Sequence, residues 1–270
     1  MKITLFTSSE PRHIALAEAL AEIADELFVC TEVLTYFTGE VDDFFQKSAV
    51  MKEYFSHVKS AQAQVFGLPR PFPKKAQVMA MKLNDLNRVP LEWMGDMLES
   101  DLYIVFGASY IKDPLISFLE QKRAVNIHMG ISPLYRGSSC NFWAANDGNT
   151  DLIGSTIHEL TAGLDSGPML LHALPAPAKA DPFLVGMLAV QAALDALTSH
   201  IKDGDLLKLP TIQQDKTQEI RYTRNDEFTD DVAQKYLQNL PTPDDVFAQM
   251  RKRDVSILHN PFIAEPYSTE

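Results

Sequence analysis

Short apolar runs alternating with amphipathic stretches restrict this chain to one kind of architecture. LYIVF, at 102–106, is five apolar residues in a row between Asp101 and Gly107. A strand that is apolar at every position has both faces buried, the setting of a central strand in a sheet covered by helices on each side. ITLF near the N-terminus reads as another buried strand, ending at Thr7, Ser8 and Ser9. Pro11 suits the first turn of a helix, and Ile14, Ala17, Leu20, Ala21 and Ala24 follow at helical spacing, opposite Glu18, Glu22 and Asp25. FVCTEV, at 28–33, completes a strand-helix-strand unit.

The alternation continues after a less regular stretch at 38–100. There Phe44, Phe45, Tyr54, Phe55 and Phe66 are expected to pack inside a helical segment, and Pro69, Pro71 and Pro73 mark a loop. A short strand at 76–81 and a helix at about 90–99 precede LYIVF. Beyond it come a helix at 114–121, a strand at 124–128, a helix starting near Cys140, and strands at 153–160 and 168–174. Asp181 and Pro182 open a further helix whose buried stripe is Phe183, Met187, Val190, Leu194 and Leu197. The pattern predicts an α/β fold: a doubly wound, mostly parallel Rossmann-like sheet over residues 1–203, with a small C-terminal helical appendage over 204–270. That appendage should hold a short strand around Tyr222, helices at 230–239 and 244–252, and an irregular tail after Pro261.

Composition excludes several functions. With 36 acidic against 24 basic residues the net charge is -12, which opposes attraction to a polyphosphate, so nucleic acid is not an expected partner. Arg251, Lys252 and Arg253 are the densest basic cluster, too short to reverse that and read as a solvated face. Cys30 and Cys140 lack CxxC or Cys/His spacing, so neither a disulfide framework nor a metal site is expected. The first strand is too short for a signal peptide, and no run reads as approaching the roughly 18–20 apolar residues of a membrane span. A cytoplasmic protein with no membrane partner is expected. The turn TSSEPRH contains no glycine, which argues against a dinucleotide such as NAD or FAD.

The chemistry concentrates in AVNIHMGISPLYRG, at 124–137, and in Asp165 of HELTAGLDSGPML. If Val125 and Ile127 face a buried layer, the twofold period of a strand sets Asn126 and His128 together on the other face. Singly, each of these residues is an ordinary structural group. As a set they bring an amide, an imidazole and a distant carboxylate together, and the strand ending in that pair before a turn of Gly130, Ser132, Pro133 and Gly137 resembles the active-site edge of an open α/β enzyme. Ser132, Ser138 and Ser139 lack a GxSxG context and read as turn or cap residues.

NIH followed by SPLYRG, and then GSTIHELTAGLDSG, resembles the formyltransferase family that uses 10-formyltetrahydrofolate. The likeness is strong over 102–175 and looser over 1–200, and is nearest to the sugar N-formyltransferase branch. One departure is Gly130-Ile131-Ser132-Pro133, where that family commonly has Ser-Leu-Leu-Pro. The resemblance implies 10-formyltetrahydrofolate as co-substrate and Asn126, His128 and Asp165 as catalytic groups. It also implies a pterin site on Gly107, Ala108, Tyr110 and Ile111 together with Leu160, Gly163 and Leu164, and a cis bond before Pro133. Arg12, His13, Tyr135 and Arg136 are assigned to the acceptor, with the start of the first helix meeting a phosphate. His158 is expected to orient water or the Asp165 loop, while His57, His172, His200 and His259 are read as lacking supporting partners.

The acceptor is reached by elimination. A glycinamide ribonucleotide enzyme would want a glycine-rich phosphate turn after the first strand, and a methionyl-tRNA enzyme would add a basic C-terminal barrel. A formyltetrahydrofolate hydrolase would carry an extra N-terminal domain. A nucleotide-linked amino sugar is the expected amine, with a noncatalytic folate or nucleotide-sugar binding protein as the reading from another class. The C-terminal helices suit either a homodimer interface or packing onto the sheet.

Overall fold

The computed structural model describes residues 1–42 and 45–267. Its strands are β1 (Lys2–Ser8), β2 (Glu26–Val33), β3 (Ala76–Lys82), β4 (Leu102–Phe106), β5 (Val125–His128), β6 (Tyr135–Gly137), β7 (Ser155–Glu159), β8 (Met169–Leu174), β9 (Arg221–Thr223) and β10 (Phe262–Ile263). Its helices are α1 (Pro11–Ile23), α2 (Ala49–Phe66), α3 (Leu115–Gln121), α4 (Cys140–Asn146), α5 (Pro182–Asp203), α6 (Asp230–Gln238) and α7 (Pro243–Met250). Eight strands form one sheet in the order β10-β8-β7-β5-β4-β1-β2-β3. β3, β2, β1, β4 and β5 run parallel, β7 is antiparallel to both its neighbours, and β10 is parallel to β8. The expected doubly wound, mostly parallel α/β sheet is the architecture found.

The twofold period of the strands divides their side chains between two cores. Ile3, Leu5, Leu102, Ile104 and Phe106 face α1, α2 and α5, whereas Phe6, Tyr103 and Val105 face the layer of Leu115, Ile116 and Leu119 from α3. β4 is buried at every position, as its unbroken apolar run requires. The strand order reverses between β1 and β4, and a crevice opens at their carboxyl ends, where open α/β sheets bind ligands.

Three expectations change. The helix expected at about 90–99 is instead two short 3-10 turns, Leu91–Trp93 and Gly95–Leu98, because Pro90 precedes the segment and Gly95 takes a left-handed φ of 50°. The tail beyond Pro261 is not irregular throughout: Phe262 and Ile263 pair with Ala173 and Leu174 at the open edge of β8. And α5 is, among the described residues, a helix long and apolar enough to cross a membrane, contrary to the reading of the sequence. It lies in the core, with Val185, Ala189, Val190, Ala192, Ala193, Ala196 and Leu197 inaccessible to solvent.

Tyr54 and Phe66 are buried on α2 as expected, Phe55 is partly buried, and Phe44 lies outside the described residues. Residues 204–267 cover the sheet domain at several places. β9 pairs with β6 in a separate two-stranded sheet, α6 packs on α2, and α7 packs on the 3-10 turn Thr150–Leu152. The bond between Ser132 and Pro133 is cis, as is that between Asp113 and Pro114.

Candidate functional site

Val125 and Ile127 enter the core, so Asn126 and His128 project from the other side of β5 into a cleft of about 780 Å³. The antiparallel register sets His158 of β7 directly beside Asn126. The His158 Nδ1–H donates to the Glu159 carbonyl at 2.8 Å, which leaves Nε2 to accept from the Asn126 amide at 3.0 Å. The same amide nitrogen donates to Oδ1 of Asp165 at 3.3 Å, and Oδ2 of Asp165 lies 3.3 Å from Nδ1 of His128. Nε2 of His128 faces the Tyr135 carbonyl at 3.3 Å. Both nitrogens of His128 therefore have acceptors, the arrangement an imidazolium needs.

The electrostatics agree with that geometry. Burial opposes a charge on His128, but the Asp165 carboxylate, with Cys140 adding, outweighs it and holds the imidazole well above its ordinary value. Burial likewise opposes charge on Asp165, but His128 and then His158 hold its carboxyl well below the usual carboxylate range. The cluster is a buried ion pair at neutral pH, with a neutral amide alongside.

Asp165 is presented by a backbone at φ 43°, a left-handed conformation that costs a non-glycine residue about 1–2 kcal/mol. Two side chains hold it there. Arg136 donates through Nη2 to the Leu164 carbonyl at 3.0 Å and reaches the Asp165 carbonyl from Nε at 3.4 Å. Nη1 of Arg136 pairs with Glu219 at 3.1 Å. Gln214 donates to the carbonyls of Asp165 at 2.8 Å and Gly167 at 2.9 Å. Arg136, expected at the acceptor, is thus spent on the loop. Tyr135 is also spent inside the fold: it is buried, and its hydroxyl accepts from Asn149 at 2.7 Å and meets Asp147 at 3.3 Å.

The residues expected at the pterin do line the cleft: Gly107, Ala108, Tyr110, Ile111, Leu160, Gly163 and Leu164. Gly107 takes φ 75°, and a Cβ there would come within 2.3 Å of Nε2 of His13, so only glycine lets β4 turn into the cleft at that point. Glu32, at the end of β2, was not anticipated. Its buried carboxylate accepts from the backbone N–H of Asn84 at 2.7 Å and of Ser109 at 2.7 Å, and from the Ser109 hydroxyl at 3.0 Å. It ties together two loops that wall the cleft. The available signal was one acid at the end of an otherwise buried strand, FVCTEV.

Arg12 and His13 also face the cleft. Burial, and next to it the Arg12 charge, hold His13 well below its ordinary value, so it is neutral and packs edge-on against Phe106 at 4.7 Å. Arg12 donates to Gln62 at 2.5 Å, and Gln62 in turn donates to Glu10 at 2.7 Å. The helix start therefore offers one cation, not two, to an anionic group. The four histidines read as lacking partners each have one. His172 donates to the Ser132 carbonyl at 2.7 Å, His200 meets Asp205 at 2.8 Å, His259 donates to the Pro210 carbonyl at 2.8 Å, and His57 stacks on Phe183 at 5.1 Å.

Residues 79–179 match the family model for formyl transferases. The methionyl-tRNA formyltransferase of Synechocystis sp. is 27% identical over 121 residues, 44% of this chain and 36% of that protein. That of Aromatoleum aromaticum is 31% identical over 115 residues, 41% of this chain and 36% of that protein. The chain thus spans about a third of the length of these curated relatives, at 36%. Among solved structures, a sugar N-formyltransferase from Shewanella sp. superposes with a TM-score of 0.52 at 15% identity, over 98% of this chain and 94% of that one. A likely sugar N-formyltransferase from Mycobacterium tuberculosis superposes with a TM-score of 0.51 at 20% identity, over 84% and 77%. These likenesses establish the fold.

Proposed function

We propose that the protein transfers a formyl group from 10-formyltetrahydrofolate to a primary amine, a reading supported by the match of residues 79–179 to the formyl transferase family model. The observation that carries this is the convergence of Asn126, His128 and Asp165 on one wall of the cleft, each within 3.3 Å of another. The cleft suits the co-substrate. Val105, Ile111, Ile116 and Leu160 give it an apolar floor, and the loop carrying Gly163 and Leu164 gives it a rim with main-chain hydrogen-bonding groups, a setting for a flat heteroaromatic ring with polar edges.

The residues divide the work. The amine nitrogen attacks the formyl carbon, and its carbonyl electrons move onto oxygen. The Asn126 amide donates to that oxygen, exchanging its 3.3 Å bond to Asp165 for a stronger one to an oxyanion. The His128 charge stabilises the same oxygen across a buried site, where electrostatic effects are large. Asp165 takes the proton shed by the attacking nitrogen, directly or through water, and His128 gives one to the departing nitrogen of the co-substrate as its bond to carbon breaks. A proton passing from Asp165 to His128 across their 3.3 Å contact resets the pair. The products are a formamide and tetrahydrofolate.

For the acceptor, we favour an amino sugar linked to a nucleotide, inside a cytoplasmic setting. Two features support a small molecule over a tRNA. The net charge of -12 opposes a polyphosphate chain, and β9, α6, α7 and β10 are spent on covering the sheet domain. Purified protein incubated with 10-formyltetrahydrofolate should formylate members of a panel of nucleotide-linked amino sugars, read by mass spectrometry of the product and release of tetrahydrofolate. Transfer to methionyl-tRNA and to no sugar would overturn the acceptor. Transfer to neither would overturn the reaction.

A further inference from the structure

The turn that follows β5 lies directly on the imidazole of His128. A Cβ at Gly130 would stand 2.7 Å from Nε2 of His128 and 2.4 Å from Cβ of Cys140, so only glycine lets the turn come this close. Its far end returns to the same ring. The Tyr135 N–H closes the turn on the Ile131 carbonyl at 2.9 Å, and the Tyr135 carbonyl is the acceptor facing Nε2 at 3.3 Å. Where the turn sits therefore decides how the second nitrogen of His128 is held.

Ile131 and Ser132 are inaccessible to solvent, and the Ser132 hydroxyl has no partner among the described residues. The main chain of the turn is held instead by two neighbours, Thr156 of β7 and His172 of β8, which stand opposite each other in the antiparallel register. The Thr156 hydroxyl donates to the Gly130 carbonyl at 2.6 Å and accepts from the Ser132 N–H at 2.9 Å. His172 donates through Nε2 to the Ser132 carbonyl at 2.7 Å. It can do so in one neutral tautomer only, and the tail of the chain selects it. The His259 N–H donates to Nδ1 of His172 at 2.9 Å, and the His172 N–H donates to the His259 carbonyl at 2.9 Å. With Nδ1 an acceptor, the single proton of a neutral ring stands on Nε2. Burial keeps the ring neutral, pushing it down to about 4. Asn260, donating to the Leu170 carbonyl at 2.8 Å, and the pairing of β10 with β8 fasten the tail in place.

We propose that His172 is a positioning residue for formyl transfer: fixed in its Nε2–H tautomer by the tail residue His259, it holds the Ser132 carbonyl and thereby the turn that fixes the His128 ring. The inference rests on the role given to His128 above and adds what keeps that imidazole in place. Without the donor a buried carbonyl loses its partner, and the turn shifts to recover one. A displacement of about 1 Å at a reacting group costs about a hundredfold in rate, and a turn already touching the ring has no slack to absorb it.

The test compares His172→Phe, which fills the space without a donor, with His172→Gln, whose amide can still donate to the Ser132 carbonyl. Steady-state formyl transfer gives kcat and KM for 10-formyltetrahydrofolate, and NMR titration of His128 reads the ring without turnover. Nitrogen shifts of wild-type His172 report its tautomer. His172→Phe should lose about ten- to a hundredfold in kcat with KM changed less than about twofold, and its His128 should titrate at lower pH, having lost the fixed Tyr135 acceptor. His172→Gln should recover most of both. Thr156→Val frees the other side of the turn, should reproduce the Phe variant, and serves in its place if that variant does not fold. In an active enzyme, unchanged kcat, an unmoved His128 titration, a loss that His172→Gln does not recover, or a proton on Nδ1 of His172 overturns the proposal. An altered His128 titration in a protein that transfers no formyl group upholds the positioning and sinks the reaction.

Discussion

Replacing Arg136 by methionine removes the guanidinium that clamps the Asp165 loop while keeping most of its length and apolar stem. Of its three donations, those to Leu164 at 3.0 Å and Glu219 at 3.1 Å are well formed, and the one to Asp165 at 3.4 Å counts for little. A hydrogen bond from a charged donor is worth about 1.5–3 kcal/mol. The freed Glu219 side chain is 27% exposed and can rehydrate, so about 3 kcal/mol of stability should be lost, not the larger cost of stranding a fully buried charge. The second consequence is catalytic. Gln214 alone then holds a left-handed Asp165 that gains about 1–2 kcal/mol by relaxing. A carboxylate displaced from His128 no longer offsets the burial that opposes its charge, so the imidazole pKa falls. Urea unfolding and a pH profile of kcat check both consequences. We expect kcat at neutral pH to fall about ten- to a hundredfold, with the alkaline limb moving to lower pH; Arg136→Lys, unable to span Leu164 and Glu219 together, should recover only part. Lost stability with an unmoved alkaline limb would refute the clamp and leave Arg136 a structural residue.

Three further outcomes are expected. Asp165→Asn, which keeps the shape but not the charge, should lower kcat by at least about a hundredfold; near-normal turnover would remove it from the proton path. Glu32→Gln should raise KM for the folate co-substrate about tenfold with kcat little changed, since it leaves N–H groups of the cleft loops without their charged acceptor, and a fall in kcat at constant KM would contradict that role. His172 is pushed down to about 4 by burial, against an ordinary 6.5. The unfolded chain binds that proton more readily, so stability should be full above pH 6.5 and fall by about 3 kcal/mol as pH drops through 6.5 to 4. Urea midpoints across that range should show the slope in the wild type and a flatter one in His172→Gln, and parallel curves would exclude His172 as its source.

Much of the site was legible in the sequence because it is local. The pairing of Asn126 with His128 follows from strand periodicity alone, and the buried run at 102–106 fixed where a central strand must lie. Asp165 was legible as a motif residue, but its left-handed backbone and the clamp on it were not. Arg136 and Gln214 are separated from it by 29 and 49 residues, and nothing in their own segments marks them as partners. Tyr135 and Arg136 have the chemistry of ligand-binding groups, and only their burial and satisfied bonds assign them to the fold. Glu32 and His158 were indistinct for the same reason: each acquires its role from the strand or loop that register brings alongside.

By itself, then, the sequence determined the alternation of strands and helices, the face on which the polar pair stands and the likeness of the central segment to formyl transferases, because those depend on neighbours within a few residues. The tertiary structure decided which charges survive and how Asp165 is held. Those depend on burial and on contacts between distant segments. A side chain's ionisation and free space are properties of what surrounds it, and the surroundings exist only once the chain has folded.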